Sequence, residues 1–146
     1  METARTLVRR GATLFLMVRV YVVLVAMRGI IRANSLERIT ARLGTPMQET
    51  PQDGLGDEQL HYARRVGWAI SRVAPMTPTD SNCYPQALTA FWLLRRRHIP
   101  TTFYYGAAFD EDGTALKAHV WIRSGSVVVT GGRPHRRFGP LSWYAS

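Results

Sequence analysis

Cys83 and His119 are the two residues whose types can carry out chemistry together. A thiol becomes a strong nucleophile when a neighbouring imidazole takes its proton, and the same imidazole can then protonate a leaving group. Pro85 is typical of a first helical turn, so we expect Cys83 at a helix N-terminus, where free backbone N–H groups favour thiolate over thiol. The pair would perform nucleophilic acyl transfer. Without His119, Cys83 would be interpreted as a small buried apolar residue.

His119 needs a third group that accepts its second ring N–H and fixes its orientation. It falls in a predicted strand over 115–123, where alternation places it on one face with Trp121, and we expect that face to pack near the Cys83 helix. If Ser124 and Gly125 form a two-residue turn, Thr130 lies opposite His119, with the two side chains about 4.5–5.5 Å apart. Thr130 is therefore the predicted orienting residue, although it is not a carboxylate.

Two further pairs of residues are candidates for the same site. Asn82 and Gln86 flank the predicted helix start, where they could help the Cys83 backbone N–H to stabilise an oxyanion. Tyr104 and Trp121 lie on predicted aromatic strands and could line a substrate groove. Both pairs have an ordinary alternative, because polar residues at a helix start are often solvated and aromatic strands often form the core.

The order of the predicted elements defines the fold class. A helix after residue 57 has apolar residues at spacings of three and four and ends at Pro75, and a further helix begins at Cys83. Strands are predicted over 102–109, 115–123 and 127–129. Helices followed by an antiparallel β-meander make an α+β fold. A nucleophile on a helix and a base on a later strand is the order of papain-like and transglutaminase-like folds.

The segment 11–27 is apolar and flanked by arginines, with Arg19 near its middle. We predict a helix that continues to Gly44, with Gly29 as a point of interruption. Three interpretations remain open: a helix packed against the domain or a partner, a helix in the membrane interface, and a span, which the central arginine disfavours by about 2.5–3.5 kcal/mol. Several faces are apolar, so the buried face is not determined. One stripe at helical spacing comprises Leu14, Val18, Tyr21, Val22 and Val25.

The length and this pattern predict the domain organisation. A chain of 146 residues is long enough for one domain. We predict an N-terminal apolar helical arm over 1–44, a linker rich in proline and glycine over 45–56, and a catalytic domain over 57–146.

Composition restricts the partners and the compartment. The net charge is +9 and Lys117 is the only lysine among 19 cationic residues, so acidic partners are favoured. No nucleic-acid motif accompanies the charge, and we expect no nucleic-acid partner. The four histidines lie far apart, and we expect neither a metal nor another cofactor. A single cysteine suits a reducing compartment, so we expect a cytoplasmic protein, with membrane association through 11–32 left open.

Four sequence pieces between residues 66 and 132 resemble one family, the lasso-peptide B2 proteins, which are transglutaminase-like cysteine leader peptidases. No single piece would be specific, but their order and spacing together are. The pieces are Val66-Gly67-Trp68-Ala69-Ile70, Cys83-Tyr84-Pro85-Gln86-Ala87-Leu88, Leu93-Leu94-Arg95-Arg96-Arg97-His98-Ile99-Pro100 and Ala118-His119-Val120-Trp121-Ile122.

The resemblance implies a reaction and a triad. Cys83 would attack the carbonyl at the leader–core junction of a ribosomally made precursor, and His119 would protonate the departing amine. Family members generally have an aspartate after the histidine, whereas this chain has Val128-Val129-Thr130-Gly131-Gly132 there. The resemblance therefore leaves the third role to Thr130, to a backbone carbonyl or to no residue.

The resemblance also implies partners: the precursor peptide, a separate leader-recognition protein of the PqqD-like (B1) kind, and an ATP-dependent lasso cyclase. Two other functions remain open. One is a different transglutaminase-like acyl transfer at the same site, because cysteine and histidine do not determine the acceptor. The other is a non-catalytic, basic membrane-surface adaptor in which Cys83 is structural.

Overall fold

A computed structural model describes residues 2–78, 82–132 and 136–146. The chain forms four α-helices and five strands within these residues, and a 3-10 turn at Ala74–Met76 follows the third helix. The α+β prediction is confirmed, since helices precede the sheet. The helices are α1 (Glu2–Ala33), α2 (Leu36–Thr40), α3 (Asp57–Val73) and α4 (Cys83–Arg95). The strands are β1 (Thr45–Pro46), β2 (Thr102–Phe109), β3 (Leu116–Ser124), β4 (Val127–Thr130) and β5 (Gly139–Ala145).

The strands form one antiparallel sheet in the order β1-β5-β2-β3-β4. The predicted meander is present as β2-β3-β4, which leaves β4 at one edge. The fifth strand was not predicted, because Pro140 and the small residues around it are unfavourable for a strand. It pairs with β2 on the side away from β3, so β2 is an interior strand.

The helices α3 and α4 pack on one face of the sheet. The buried residues of α3 recur at spacings of three and four, as a helix with one covered face requires. Helix α4 is buried on nearly all sides, because it contacts α1 and α3 as well as the sheet. Phe103, Val120 and Ile122 meet them from the sheet. The expectation that the Trp121 side of β3 packs on the helices was wrong, because Trp121 and Arg123 alternate with these residues and face away from the helices. His119 nevertheless reaches the start of α4.

The other sheet face is covered by the segment that precedes α3. Arg123 is buried there and donates hydrogen bonds to the Thr50 carbonyl oxygen at 2.8 Å, the Gly125 carbonyl oxygen at 2.6 Å and the Tyr104 hydroxyl at 3.1 Å. The Tyr104 hydroxyl in turn donates to Glu49 at 2.7 Å. These bonds satisfy a buried guanidinium and hold residues 49–50 against the sheet.

Helix α1 packs against α3 and α4 by a single stripe, which comprises Leu16, Val20, Leu24 and Met27. Packing against the domain, one of the three interpretations, is therefore confirmed for this stripe. The helix continues through Gly29, the predicted point of interruption, and ends at Ala33. The interruption lies a few residues later than predicted because Ser35 caps α2. Helix α2 ends at Thr40, before the predicted helix end at Gly44, whose φ of +124° favours glycine.

Buried side chains of α1, α3, α4 and the sheet form one cluster, which includes Val20, Val66, Leu94, Phe103 and Ile122. Segments 1–44 and 57–146 therefore share core contacts. The division into arm, linker and catalytic domain stays a prediction.

Two helical glycines provide a test of the contact between α3 and β4. A Cβ added at Gly67 would collide with the Val129 carbonyl oxygen, whereas one added at Gly29 would meet nothing within 4 Å. We expect Gly67→Ala to lower the free energy of unfolding by about 1–3 kcal/mol through overpacking. Gly29→Ala should raise it by up to about 1 kcal/mol through helix propensity.

Equilibrium unfolding in guanidinium chloride would measure both variants. Because both gain the same helix propensity, their difference reports the steric cost at Gly67. Equal midpoints for the two variants would contradict the close packing of α3 on β4.

Candidate active site

One cavity of about 380 Å³ lies between α3, the start of α4 and the end of β4. It brings together four of the residues predicted from sequence: Cys83, Gln86, His119 and Thr130. A thiol, an imidazole and an amide therefore line one cavity. The full lining is Gly67, Ile70, Ser71, Cys83, Gln86, His119, Val129, Thr130, Gly131 and Gly132.

Cys83 is the first residue of α4, as predicted, and it is half-buried. Asn82 is the N-cap residue, and its side chain makes no capping hydrogen bond. The first N–H groups of any α-helix have no acceptor within the helix, so those of Cys83 and Tyr84 point out of the first turn. Pro85 has no N–H group to leave unpaired. Cys83 thus lies at the helix end that has free N–H groups and the positive end of the helix dipole.

The His119 imidazole is held by a backbone carbonyl. Its Nε2 lies 3.0 Å from the carbonyl oxygen of Gly131. A carbonyl oxygen only accepts hydrogen bonds, so Nε2 must carry the proton and the neutral ring has its lone pair on Nδ1. The ring also packs against Phe138 and Trp121, with centroid distances of 4.8 Å and 5.9 Å. These contacts fix the tautomer and the plane of a ring that can act as a base through Nδ1.

The predicted pairing of His119 with Thr130 was wrong. The turn between β3 and β4 is Gly125-Ser126, one residue later than predicted, because Gly125 supplies a φ of +54° at the first turn position. A bulge in the pairing then places Thr130 opposite Ile122. The Thr130 hydroxyl is buried and has no hydrogen-bond partner within the described residues. The orienting group is one residue further along the chain.

Gly131 was not predicted as a site residue. A glycine at this position was the signal in the sequence that could have indicated it. Its φ is +95°, which disfavours any other residue, and an added Cβ would collide with the Trp121 Cβ and lie 3.2 Å from His119 Nε2. Only glycine lets the backbone approach the imidazole so closely. The pair Gly131-Gly132 therefore marks the close approach of a backbone to a side chain.

Three candidates lie outside the cavity. Asn82 is exposed and lines a separate depression of about 190 Å³ with Arg28 and Arg32 of α1. Tyr104 and Trp121 are buried and stack on each other at 5.1 Å on the sheet face that residues 49–50 cover. Tyr104 and Trp121 are therefore not among the residues that line the cavity with Cys83, and their contact with a substrate stays a prediction.

Two tyrosines next to Cys83, Tyr84 and Tyr105, have raised pKa values, and that of Tyr105 is shifted furthest among the described residues. The Tyr105 hydroxyl donates to the Tyr84 hydroxyl at 3.4 Å. Burial raises the pKa of Tyr105 well above its ordinary value, and burial also raises the pKa of Tyr84.

Among the described residues no cluster of three or more histidine, cysteine or acidic side chains could hold a metal.

The raised tyrosine pKa values predict alkaline destabilisation. The unfolded chain releases the tyrosine protons near pH 10, whereas the folded chain retains them, so folding stability is fully present below about pH 10 and falls as the pH rises further. We expect Tyr105→Phe to make this fall shallower, because phenylalanine has no proton to lose. Urea unfolding at pH 8 and pH 11 would measure it. An identical loss of stability in both proteins would contradict the burial of the Tyr105 hydroxyl.

The hydrogen bond to Gly131 predicts the tautomer of His119. Long-range ¹H–¹⁵N NMR of the neutral side chain should report protonated Nε2 and unprotonated Nδ1, with assignment by His119→Gln. The exposed His61, replaced by glutamine in a matched spectrum, serves as the reference. Gly131→Ala should weaken this preference by displacing the carbonyl. A neutral His119 protonated on Nδ1 would contradict the geometry.

A family model agrees with the fold. The model of the transglutaminase-like superfamily matches residues 22–142, from the middle of α1 into β5, and the match contains both Cys83 and His119. Neither the comparison with curated proteins nor that with solved structures gave a match. The superfamily generally includes cysteine peptidases and acyltransferases of this fold. Because the match covers more than half of the 146 residues, the chain belongs to the transglutaminase-like superfamily.

Proposed function

We propose that the protein is a cysteine peptidase that removes the leader peptide from a lasso-peptide precursor. One observation carries the proposal: Cys83 and His119 line the same cavity, and the His119 ring is held with Nδ1 free to act as the base. Among the reactions of the superfamily, the four sequence pieces that resemble lasso-peptide leader peptidases favour leader removal. Membership of the superfamily alone supports only the coarser class of cysteine peptidases and acyltransferases.

The first half-reaction is acylation. His119 Nδ1 takes the Cys83 proton while Sγ attacks the carbonyl carbon at the leader–core junction. The oxyanion accepts hydrogen bonds from the Cys83 backbone N–H and from the Gln86 side-chain amide, which lines the cavity. The C–N bond then breaks, and the protonated imidazole gives its proton to the departing amine. The products are a leader thioester on Cys83 and a core peptide with a free N-terminus.

The second half-reaction is hydrolysis. His119 Nδ1 takes a proton from water, and the resulting hydroxide attacks the thioester carbonyl. The C–S bond breaks, protonated His119 gives its proton to the departing Cys83 sulfur, and the leader leaves with a new carboxyl group. The reaction therefore consumes one water and returns both side chains to their starting forms.

A carbonyl in the third position has a chemical consequence. A carboxylate would stabilise the protonated imidazole by charge, whereas the Gly131 carbonyl orients the ring and stabilises it only as a hydrogen-bond dipole. Thr130 lines the cavity beside it and is a candidate for contact with the substrate, since its buried hydroxyl has no hydrogen-bond partner within the described residues.

Leader recognition is assigned to a separate protein. A cavity of about 380 Å³ holds only a few side chains around the scissile bond, which is too little surface to identify a leader. We infer that a PqqD-like recognition protein delivers the precursor and that an ATP-dependent cyclase consumes the free amine of the core. Both would be separate chains.

A second cavity supports the expectation of acidic partners. It measures about 470 Å³ and has an apolar floor between α1, α2 and α4. Four arginines surround it: Arg38, Arg42, Arg95 and Arg96. The one ion pair within the described residues is Arg137–Glu111, at 4.0 Å, so none of the four arginines is paired with a carboxylate there. An acidic segment of the leader or its carrier suits this surface.

A different acyl transfer remains the second candidate, because the cavity does not select water over an amine as the acceptor. Hydrolysis of the precursor yields two fragments whose masses sum to that of the precursor plus one water. Amine transfer on a glutamine instead releases ammonia and joins two molecules. Mass spectrometry distinguishes these outcomes in the experiment that follows.

The test combines the purified protein with the precursor and the recognition protein encoded beside it. We expect release of leader and core by the wild type, and loss of the rate by about 10³-fold or more in Cys83→Ala and His119→Gln. His61→Gln, an exposed histidine of α3 changed in the same way, should retain the rate. An intact precursor with the wild type would overturn the peptidase assignment. Retained cleavage by Cys83→Ala would overturn Cys83 as the nucleophile.

A further inference from the structure

The face of α1 that points away from the domain is apolar. Six of its large side chains are exposed by 42% to 65%. We call them the outer stripe: Leu7, Leu14, Phe15, Val18, Val22 and Val25. At 1.5 Å per residue the stripe is about 27 Å long. A contiguous apolar strip of this length is unusual on a protein that remains free in water.

Arginines border the outer stripe on both sides. At 100° per residue, Arg10 and Arg28 project along one edge of the stripe, and Arg19 projects along the other. No acidic residue occurs between Thr3 and Leu36. This arrangement of an apolar face with cationic margins is complementary to a bilayer that has anionic headgroups, because the margins reach the phosphates when the face enters the interface.

The packing of α1 excludes a transverse orientation. The helix is long and apolar enough to cross a membrane by length and composition. However, Leu16, Val20 and Leu24 at its centre are buried by α3 and α4, so a span would carry those helices into the hydrocarbon. Helix α3 has Arg64 and Arg65 in its middle, and burying such charges in lipid is costly. A helix that lies flat avoids this cost.

We propose that α1 lies in the plane of an anionic membrane surface, with the outer stripe in the interface and the bordering arginines on lipid phosphates. This surface is independent of the proposed peptidase activity. None of the residues that line the Cys83 cavity belongs to α1, and α3 and α4 separate α1 from the sheet. A protein docked in this way keeps its cavity open to water, so a soluble precursor still reaches Cys83.

The test is co-sedimentation of the full chain with vesicles of phosphatidylcholine alone and with vesicles containing about one third phosphatidylglycerol. We expect binding to the anionic vesicles that weakens as salt is added. Val18→Asp/Val22→Asp places two charges at the centre of the outer stripe and should reduce this binding by about tenfold or more. Both valines are exposed, so the fold should persist, as checked by circular dichroism and the thermal midpoint.

A matched control separates insertion from charge. Leu116→Asp/Leu141→Asp changes the net charge equally at two exposed apolar positions on strands and should bind nearly as the wild type does. Equal losses in the two double variants would overturn insertion of the stripe. Absence of wild-type binding to anionic vesicles would overturn the membrane proposal, and a recognition protein that binds the wild type but not V18D/V22D would then identify the stripe as its docking site. Cleavage of soluble precursor by V18D/V22D should be unchanged, so the two proposals fail independently.

Discussion

The close approach of α3 to β4 sets the geometry of the candidate site. Gly67 lies directly against the Val129 carbonyl oxygen, and any side chain at that position would push the two elements apart. Val129, Thr130 and Gly131 follow one another at the end of β4, so this contact also determines where the Gly131 carbonyl lies. Because that carbonyl holds His119, a helix–strand contact with no chemistry of its own determines the position of the base.

His119 is held by a backbone carbonyl and not by the aspartate that the resemblance to leader peptidases implies. The substitution keeps the directional part of the interaction, which selects the tautomer, and removes the ionic part, which stabilises the charged ring. It also requires glycine, since the carbonyl reaches Nε2 only when the backbone at Gly131 adopts a positive φ beside Trp121. Orientation is thus preserved by backbone conformation. The proposed reaction depends on the thiolate and the helix dipole for the rest of the electrostatics.

Helix α1 has two apolar faces with different roles in the fold. The inner stripe contributes to the same core as α3, α4 and the sheet, so the helix is part of the folded domain. The outer stripe contributes nothing to that core, and its arginine borders account for much of the excess positive charge. The net charge of +9 is therefore concentrated on the helical side of the molecule, on α1 and around the arginine-lined cavity. The lining of the cavity with Cys83 contains no arginine or lysine among the described residues.

The sequence by itself determined the α+β class, the strand and helix order, and the placement of Cys83 at a helix start, because these depend on local periodicity, on Pro85 and on turn residues. It also identified His119 and Gln86, which share the cavity with the thiol. Only the tertiary structure decided the group that holds His119, because one residue in a turn and one bulge move every cross-strand neighbour of β4. It likewise decided which face of α1 is buried, since the sequence of a helix with several apolar faces does not indicate which of them packs on the domain. Strand β5 was not predicted, because Gly139 and Pro140 are unfavourable residues for a strand. Pairing with β2 stabilises them in extended form.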